Sequence, residues 1–349
     1  MVNLTLASQR RVSEPYEIGL ELRLSLELVL RPMSGRFSTG TQLNRRALPL
    51  SIAVAMVAAG GLLASTSAAS ASSRASEVVA VGAENEYANV IAQIGGPFVS
   101  VTAIMSNPNT DPHEFEASAS VAEEVSKAQL IVQNGVGYDT FMNKIESASN
   151  RSGRQVIVAQ QLIGVANDAF NPHLWYDPRT MPAVASAVAT DLARLEPAHA
   201  AYFKSNLKSF DNSLQPWFNA IASFRKAHPQ VPIAVTEPVA DYMLGAAGAD
   251  IKTPQPLQAA IMNGTDPSPQ DISLEEQLLT RHGVKVFLYN QQVTDSLTAT
   301  FLSDALKAHV PVVGVYETMP TPGYDYQSWM MAEMNALRLA LTGMSTVKL

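Results

Sequence analysis

Short apolar runs alternate with helix-period segments in two separate blocks of this chain, and one long amphipathic stretch divides the blocks. In the first block, Val78 to Val81 and FVSVTAIM (98–105) read as strands. Between them Tyr87, Val90, Ile91 and Ile94 fall at helix spacing, and Gly95-Gly96 stops that helix. ASVAEEVSKA (119–128) reads as a helix, LIVQNG (130–135) as a buried strand and QVIVAQ (155–160) as another strand. The second block repeats the theme. VPIAVTE (231–237) leads to a helix through DYMLGAAG (241–248), a loop rich in Pro, Asn and Gly (252–270) and a helix DISLEEQLLTRHG (271–283). KVFLYN (285–290), a helix over 296–309, VPVVGVYE (310–317) and a C-terminal helix over 326–342 complete it. Between the blocks, residues 198–228 read as mostly one amphipathic helix, which Pro216 kinks. Strands that alternate with helices predict a mainly parallel sheet. The expectation is an α/β chain, with two lobes of mainly parallel sheet joined by one long rigid helix. The bounds are 72–195 for the first lobe, 196–228 for the linking helix and 229–349 for the second lobe.

The N-terminus reads as an address. In NRRALPLSIAVAMVAAGGLLASTSAASA (44–71), Arg45 and Arg46 precede an apolar run from Leu48 to Leu63, and Ala69-Ser70-Ala71 supplies a small-residue cleavage signal. That run is short for a membrane span, so residues 33–71 read as a cleaved signal peptide. Residues 1–32 show no such pattern and read as an over-extended N-terminus before a start at Met33. GGLLAS (60–65) resembles a lipobox with Ser65 where the lipidated cysteine would stand. The mature chain is therefore expected free in a periplasm or secreted.

The sequence contains no cysteine. That excludes disulfides, cysteine-ligated zinc, iron–sulfur clusters and a thiol nucleophile. Any metal must be held by His, Asp, Glu, amide oxygen or water. The formal net charge is -7 and no basic block stands out, which argues against nucleic acid.

Against that background, DPHEFEAS (111–118) and NPHLWYDP (171–178) stand out, each a Pro-His pair in an acidic and aromatic setting. Ligands of open α/β sheets bind beyond the carboxyl ends of the strands. His113 lies in the loop after FVSVTAIM, and His173 in the loop after QVIVAQ and its extension. Glu237 ends VPIAVTE, and Glu317 ends VPVVGVYE. Two imidazoles and two carboxylates suit a divalent first-row metal, and a bidentate carboxylate would suit Mn²⁺ as well as Zn²⁺. Plainer readings exist for each residue. A His beside Pro can bond only to backbone, Glu237 can be a helix N-terminal acid, and Glu317 can be exposed at a strand end. His199, His228, His282 and His309 sit at helices or helix ends and read as surface. Asp177 and Glu116 read as supporting residues, and Met330, Met331 and Met334 as helix packing.

SNPNTDPHEFEAS, NPHLWYDP, AVTEPVADYML, NGTDPSPQDI with LEEQL, VFLYNQQ and VVGVYETMP occur in that order between about Val78 and Leu341. In this order they resemble the metal-binding solute-binding proteins of ABC importers for Zn²⁺ and Mn²⁺, the zinc-uptake or adhesin-type group. The resemblance implies two α/β lobes bridged by a rigid helix. It also implies a metal ion bound between them by His113, His173, Glu237 and Glu317 as cargo. A membrane permease and its ATPase would be the partners of a monomeric, non-enzymatic receptor. The alternatives are a metal-dependent hydrolase, for which no HExxH helix or nucleophile elbow appears, and a surface adhesin with a structural metal. Three departures stand out. Zinc-type members often carry His at the third ligand position and a His-rich loop, where this chain has Glu237 and no such loop. Manganese-type members usually carry Asp at the fourth, where this chain has Glu317. The common lipid-anchor cysteine is absent.

Overall fold

The computed structural model describes residues 77–348; the expected signal peptide (33–71), the segment 1–32 and Ser65 lie outside the described residues. The first block forms β1 (Val78–Glu84), α1 (Asn85–Gly95), β2 (Val99–Met105), α2 (Ala119–Lys127), β3 (Leu130–Gln133), α3 (Thr140–Ala148), β4 (Gln155–Val158), α4 (Ala159–Ile163) and α5 (Thr180–Leu195). Then come α6 (Ala200–Ser213) and α7 (Gln215–Ala227). The second block forms β5 (Pro232–Val235), α8 (Asp241–Ala246), β6 (Asp250–Ile251), α9 (Gln255–Met262), α10 (Pro269–Thr280), β7 (Val286–Asn290), α11 (Ser296–Lys307), β8 (Val312–Val315) and α12 (Tyr326–Ala340).

Each block folds into a four-stranded sheet, ordered β2-β1-β3-β4 and β6-β5-β7-β8. Every pairing within the two sheets is parallel. In both sheets the order reverses beside the first strand, at β1/β3 and at β5/β7. That reversal opens a crevice at the carboxyl ends of the strands, where the loops carrying the candidate residues emerge.

At two prolines the fold departs from the sequence reading. The stretch expected to be one long helix is two, meeting at Leu214. Proline 216 has no N–H to offer the carbonyl four residues back, yet Leu214 keeps helical angles (φ -79, ψ -17), so the path bends without stopping. The expected loop over 252–270 contains α9. Its Pro256 stands in the first turn, where the missing N–H has no intrahelical partner to lose.

One hydrophobic core runs through both blocks, with Tyr87, Ile91, Trp175, Val188, Trp217, Tyr326 and Trp329 in a single cluster. The helix pair is built into it on both sides: α6 packs on α1 and α5, and α7 on α8 and α12. Burying an aromatic or aliphatic side chain of this size contributes about 2 kcal/mol, so a bridge embedded at both ends resists large hinge motion. Among the described residues no helix is long and apolar enough to cross a membrane.

Close packing at the end of β1 makes one position especially sensitive. A Cβ on Gly82 would stand 2.3 Å from the backbone nitrogen of Ala88 in α1. Gly82→Ala must push helix and strand apart, and it is expected to cost about 1–3 kcal/mol. The shift of the urea midpoint relative to wild type measures it.

Candidate metal site

The two histidine loops are held by different means. Asp111 caps the short turn Pro112–Glu114, its Oδ1 accepting from the His113 N–H at 2.8 Å. The His113 side chain remains 23% exposed. His173 is wholly buried, and Asn171 fixes it twice. Asn171 Oδ1 lies 2.9 Å from both the backbone N and the ring Nδ1 of His173. An amide oxygen can only accept, so Nδ1 carries the proton and Nε2 is left facing the crevice.

The rest of NPHLWYDP is fastened across to the second lobe. Asn171 Nδ2 donates to the Pro238 carbonyl (2.7 Å), and Tyr242 Oη donates to the Asn171 carbonyl (2.9 Å). Tyr326 Oη donates to the Trp175 carbonyl (2.6 Å), and Tyr176 Oη to the Tyr316 carbonyl (2.9 Å). Asn134 donates to the Pro172 carbonyl (2.8 Å). Asp177 pairs with Arg179 at 2.7 Å, a supporting role.

From the second lobe Glu317 enters, almost fully buried, which overturns the plain reading of an exposed strand end. Its Oε2 lies 3.2 Å from His113 Nε2, 3.1 Å from His173 Nε2 and 2.9 Å from Tyr138 Oη. Among the described residues, His113, His173 and Glu317 form a group whose donor atoms all lie within 4.8 Å of one another. Glu237 stands outside that group, although it is buried at the end of β5. It is tied to Glu317 through Asn290, whose Nδ2 donates to Glu317 Oε1 (2.7 Å) and Glu237 Oε1 (3.1 Å). Gln292 completes the frame. Its Oε1 accepts from the backbone N–H groups of Glu317 and Thr318 (2.7 and 2.8 Å), and its Nε2 reaches the Thr110 carbonyl on the His113 loop (2.8 Å).

Burial and charge act against each other here. Burial alone would raise the Glu317 carboxyl, but His173 and His113 hold it well below the usual carboxylate range. Burial opposes a charge on His113, yet the Glu317 carboxylate prevails and raises its pKa. In the fully enclosed His173 burial prevails and lowers it. Burial and the neighbouring Glu317 charge push Glu237 up. Glu237 Oε2 has no hydrogen-bond partner among the described residues. The two imidazole nitrogens and the Glu317 carboxylate oxygen that meet here are donor types that suit a divalent first-row cation, with the buried Glu237 carboxyl beside them.

Three positioning side chains escaped the sequence reading: Tyr138, Asn171 and Gln292. Asn171 had a local signal, two residues before His173 in the quoted motif. Tyr138 and Gln292 act on partners 179 and 182 residues away, which no local pattern encodes. Of the other histidines, His228, His282 and His309 are exposed. His199 is half-buried and stacks on Phe98 at 3.7 Å.

A family described as the periplasmic zinc-uptake complex component A matches residues 81–340. The manganese-binding lipoprotein MntA of Bacillus subtilis is 22% identical over 240 residues, which is 66% of this chain and 76% of that protein. Among solved structures, the periplasmic zinc-binding protein TroA of Treponema pallidum superposes with a TM-score of 0.64 at 16% identity, covering 77% of this chain and 100% of that one. The solute-binding protein FpvC of Pseudomonas aeruginosa, in complex with Mn²⁺, gives a TM-score of 0.62 at 19% identity, covering 76% of this chain and 98% of that one. At these identities the structural likenesses carry the fold, two α/β lobes with parallel sheets.

The fastening of the His173 loop carries its own pH dependence. Glu333 Oε1 lies 3.1 Å from Tyr176 Oη and accepts from Trp329 Nε1 (3.2 Å), and burial pushes its carboxyl up to about 8. A raised carboxyl pKa means that the folded state holds a proton the unfolded state releases. Its contribution is fully present below about 4.5, the ordinary value, and is lost as pH rises to about 8. Glu333→Gln removes that titration. Its melting temperature is expected to rise relative to wild type between pH 5 and pH 8 and then level off, read from thermal melts across that range.

Proposed function

The chain belongs to the family of the periplasmic zinc-uptake complex component A, and from that premise we propose that it is an extracytoplasmic receptor for Zn²⁺ or Mn²⁺. It captures the cation between its two lobes and delivers it to an ABC-type importer. The observation that carries this reading is the meeting of His113 and His173, from the first lobe, at the buried Glu317 carboxylate of the second. His113, His173, Glu237 and Glu317 are the ligands in this reading. The free, buried Glu237 Oε2 supports its inclusion. A cation would replace the contacts that the imidazoles make with Glu317 and would draw Glu237 in beside it.

The cation is cargo. Four protein donors leave little room for the reacting water that a metallohydrolase needs, so the chain is a receptor and not an enzyme. Its partners are a membrane permease and its ATPase, and it meets them as a monomer. The pattern of residues 44–71 supports export. The bridging helices embedded in both lobes favour local loop rearrangement over wide hinge closure.

Elemental analysis and competitive titration of the purified protein test the reading. One equivalent of Zn²⁺ or Mn²⁺ per chain is expected, and the double substitution His113→Ala/His173→Ala should weaken binding by more than about 100-fold while the apo-protein still folds. No stoichiometric cation in the wild type would overturn the reading. Ligand imidazoles must be neutral to bind, so the apparent affinity is expected to fall as acid protonates them, His113 first because its pKa is raised and His173 only at lower pH because its pKa is lowered, measured by repeating the titration from pH 7.5 to 5.5.

A further inference from the structure

We propose that Asn290 sets which cation this site prefers, by confining Glu237 and Glu317 to one coordinating oxygen apiece. The inference rests on the reading of those residues as ligands. Asn290 is the last residue of β7 and is wholly buried. Its backbone N–H donates to Thr236 Oγ1 (3.0 Å), and its Oδ1 accepts from the Gln292 N–H (3.0 Å). Since Oδ1 is held by a donor, the amide cannot be reversed, and the NH₂ group must face the carboxylates. That group has two hydrogens. One goes to Glu317 Oε1 and the other to Glu237 Oε1.

Each carboxylate therefore has one oxygen engaged by a fixed, buried donor. What remains is Glu237 Oε2, unpartnered, and Glu317 Oε2, which faces both imidazoles and accepts from the Tyr138 hydroxyl (2.9 Å), a contact that a cation would have to share or displace. Two nitrogens and two oxygens make four donors, the tetrahedral count that Zn²⁺ takes. Mn²⁺ favours a larger, oxygen-rich shell. To complete it, a carboxylate would have to turn bidentate and share or break its bond to Asn290. The carboxylate-rich ligand set looks suited to manganese, but the amide between the carboxylates restricts it to the zinc geometry. Asn290 touches neither the imidazoles nor, in this account, the cation; it acts as a positioning residue through both carboxylates.

X-ray absorption spectroscopy of the Zn²⁺-loaded and Mn²⁺-loaded wild-type protein tests this, alongside competitive titration of wild type, Asn290→Ala and Asn290→Ser. Four nitrogen and oxygen ligands are expected around Zn²⁺ in the wild type. The ratio of the Mn²⁺ to the Zn²⁺ dissociation constant should fall at least about tenfold in the variants, with an added carboxylate oxygen around Mn²⁺. A zinc shell of five or six with a bidentate glutamate in the wild type would overturn the proposal, even if neither variant folds. So would a ratio unchanged in variants that do fold. A wild-type protein that binds no stoichiometric cation would overturn the ligand reading itself and this inference with it.

Discussion

One carboxylate oxygen, Glu317 Oε2, holds together the part of this molecule that matters most. Three groups from loops of the first lobe, Tyr138 Oη and the Nε2 atoms of His113 and His173, stand within 3.2 Å of it. A carboxylate taken this far from water costs several kcal/mol unless it is well paired. Each partner must in turn be aimed. Asn171 fixes the tautomer of His173, Gln292 grips the backbone of Glu317 and Thr318, and Asn290 ties Glu317 to Glu237. The side-chain amides around the site follow from the need to satisfy one buried charge in one geometry.

The same constraint accounts for the use made of the fold. Two sheets of identical strand order bring two sets of strand ends to one crevice. Residues that need to meet can then come from elements far apart in the chain. The core that passes beneath both sheets, with Trp217 of α7 and Tyr326 of α12 in edge contact, keeps the two sets in register. His113 lies on the partly exposed side of the cluster, on a loop tied to the second lobe through Thr110 and Gln292. His173 lies on the closed side. A rigid frame with one accessible ligand loop is suited to loading and unloading an ion by small movements.

The alternation of apolar runs with helical periods made the two lobes legible in the sequence, because parallel strands buried on both faces leave continuous apolar segments. The positions of His113, His173, Glu237 and Glu317 were legible because each follows or ends such a run. Three of them meet in one cluster, while Glu237 stands beside it through Asn290. What stayed hidden shares a physical cause. Tyr138 and Gln292 are ordinary polar residues whose importance comes from partners brought near only by the folded chain. The helix α9 hid behind a proline that looks like a breaker but sits where a helix tolerates it. The strand β6 is two residues long and lies at the sheet edge, too short to show alternation.

The most direct measurement is anomalous diffraction at the zinc absorption edge from crystals grown with Zn²⁺. One strong peak is expected within bonding distance, about 2.0–2.2 Å, of His113 Nε2, His173 Nε2, Glu237 Oε2 and Glu317 Oε2. A peak bound by other residues, or none in the crevice between the lobes, would contradict this ligand set.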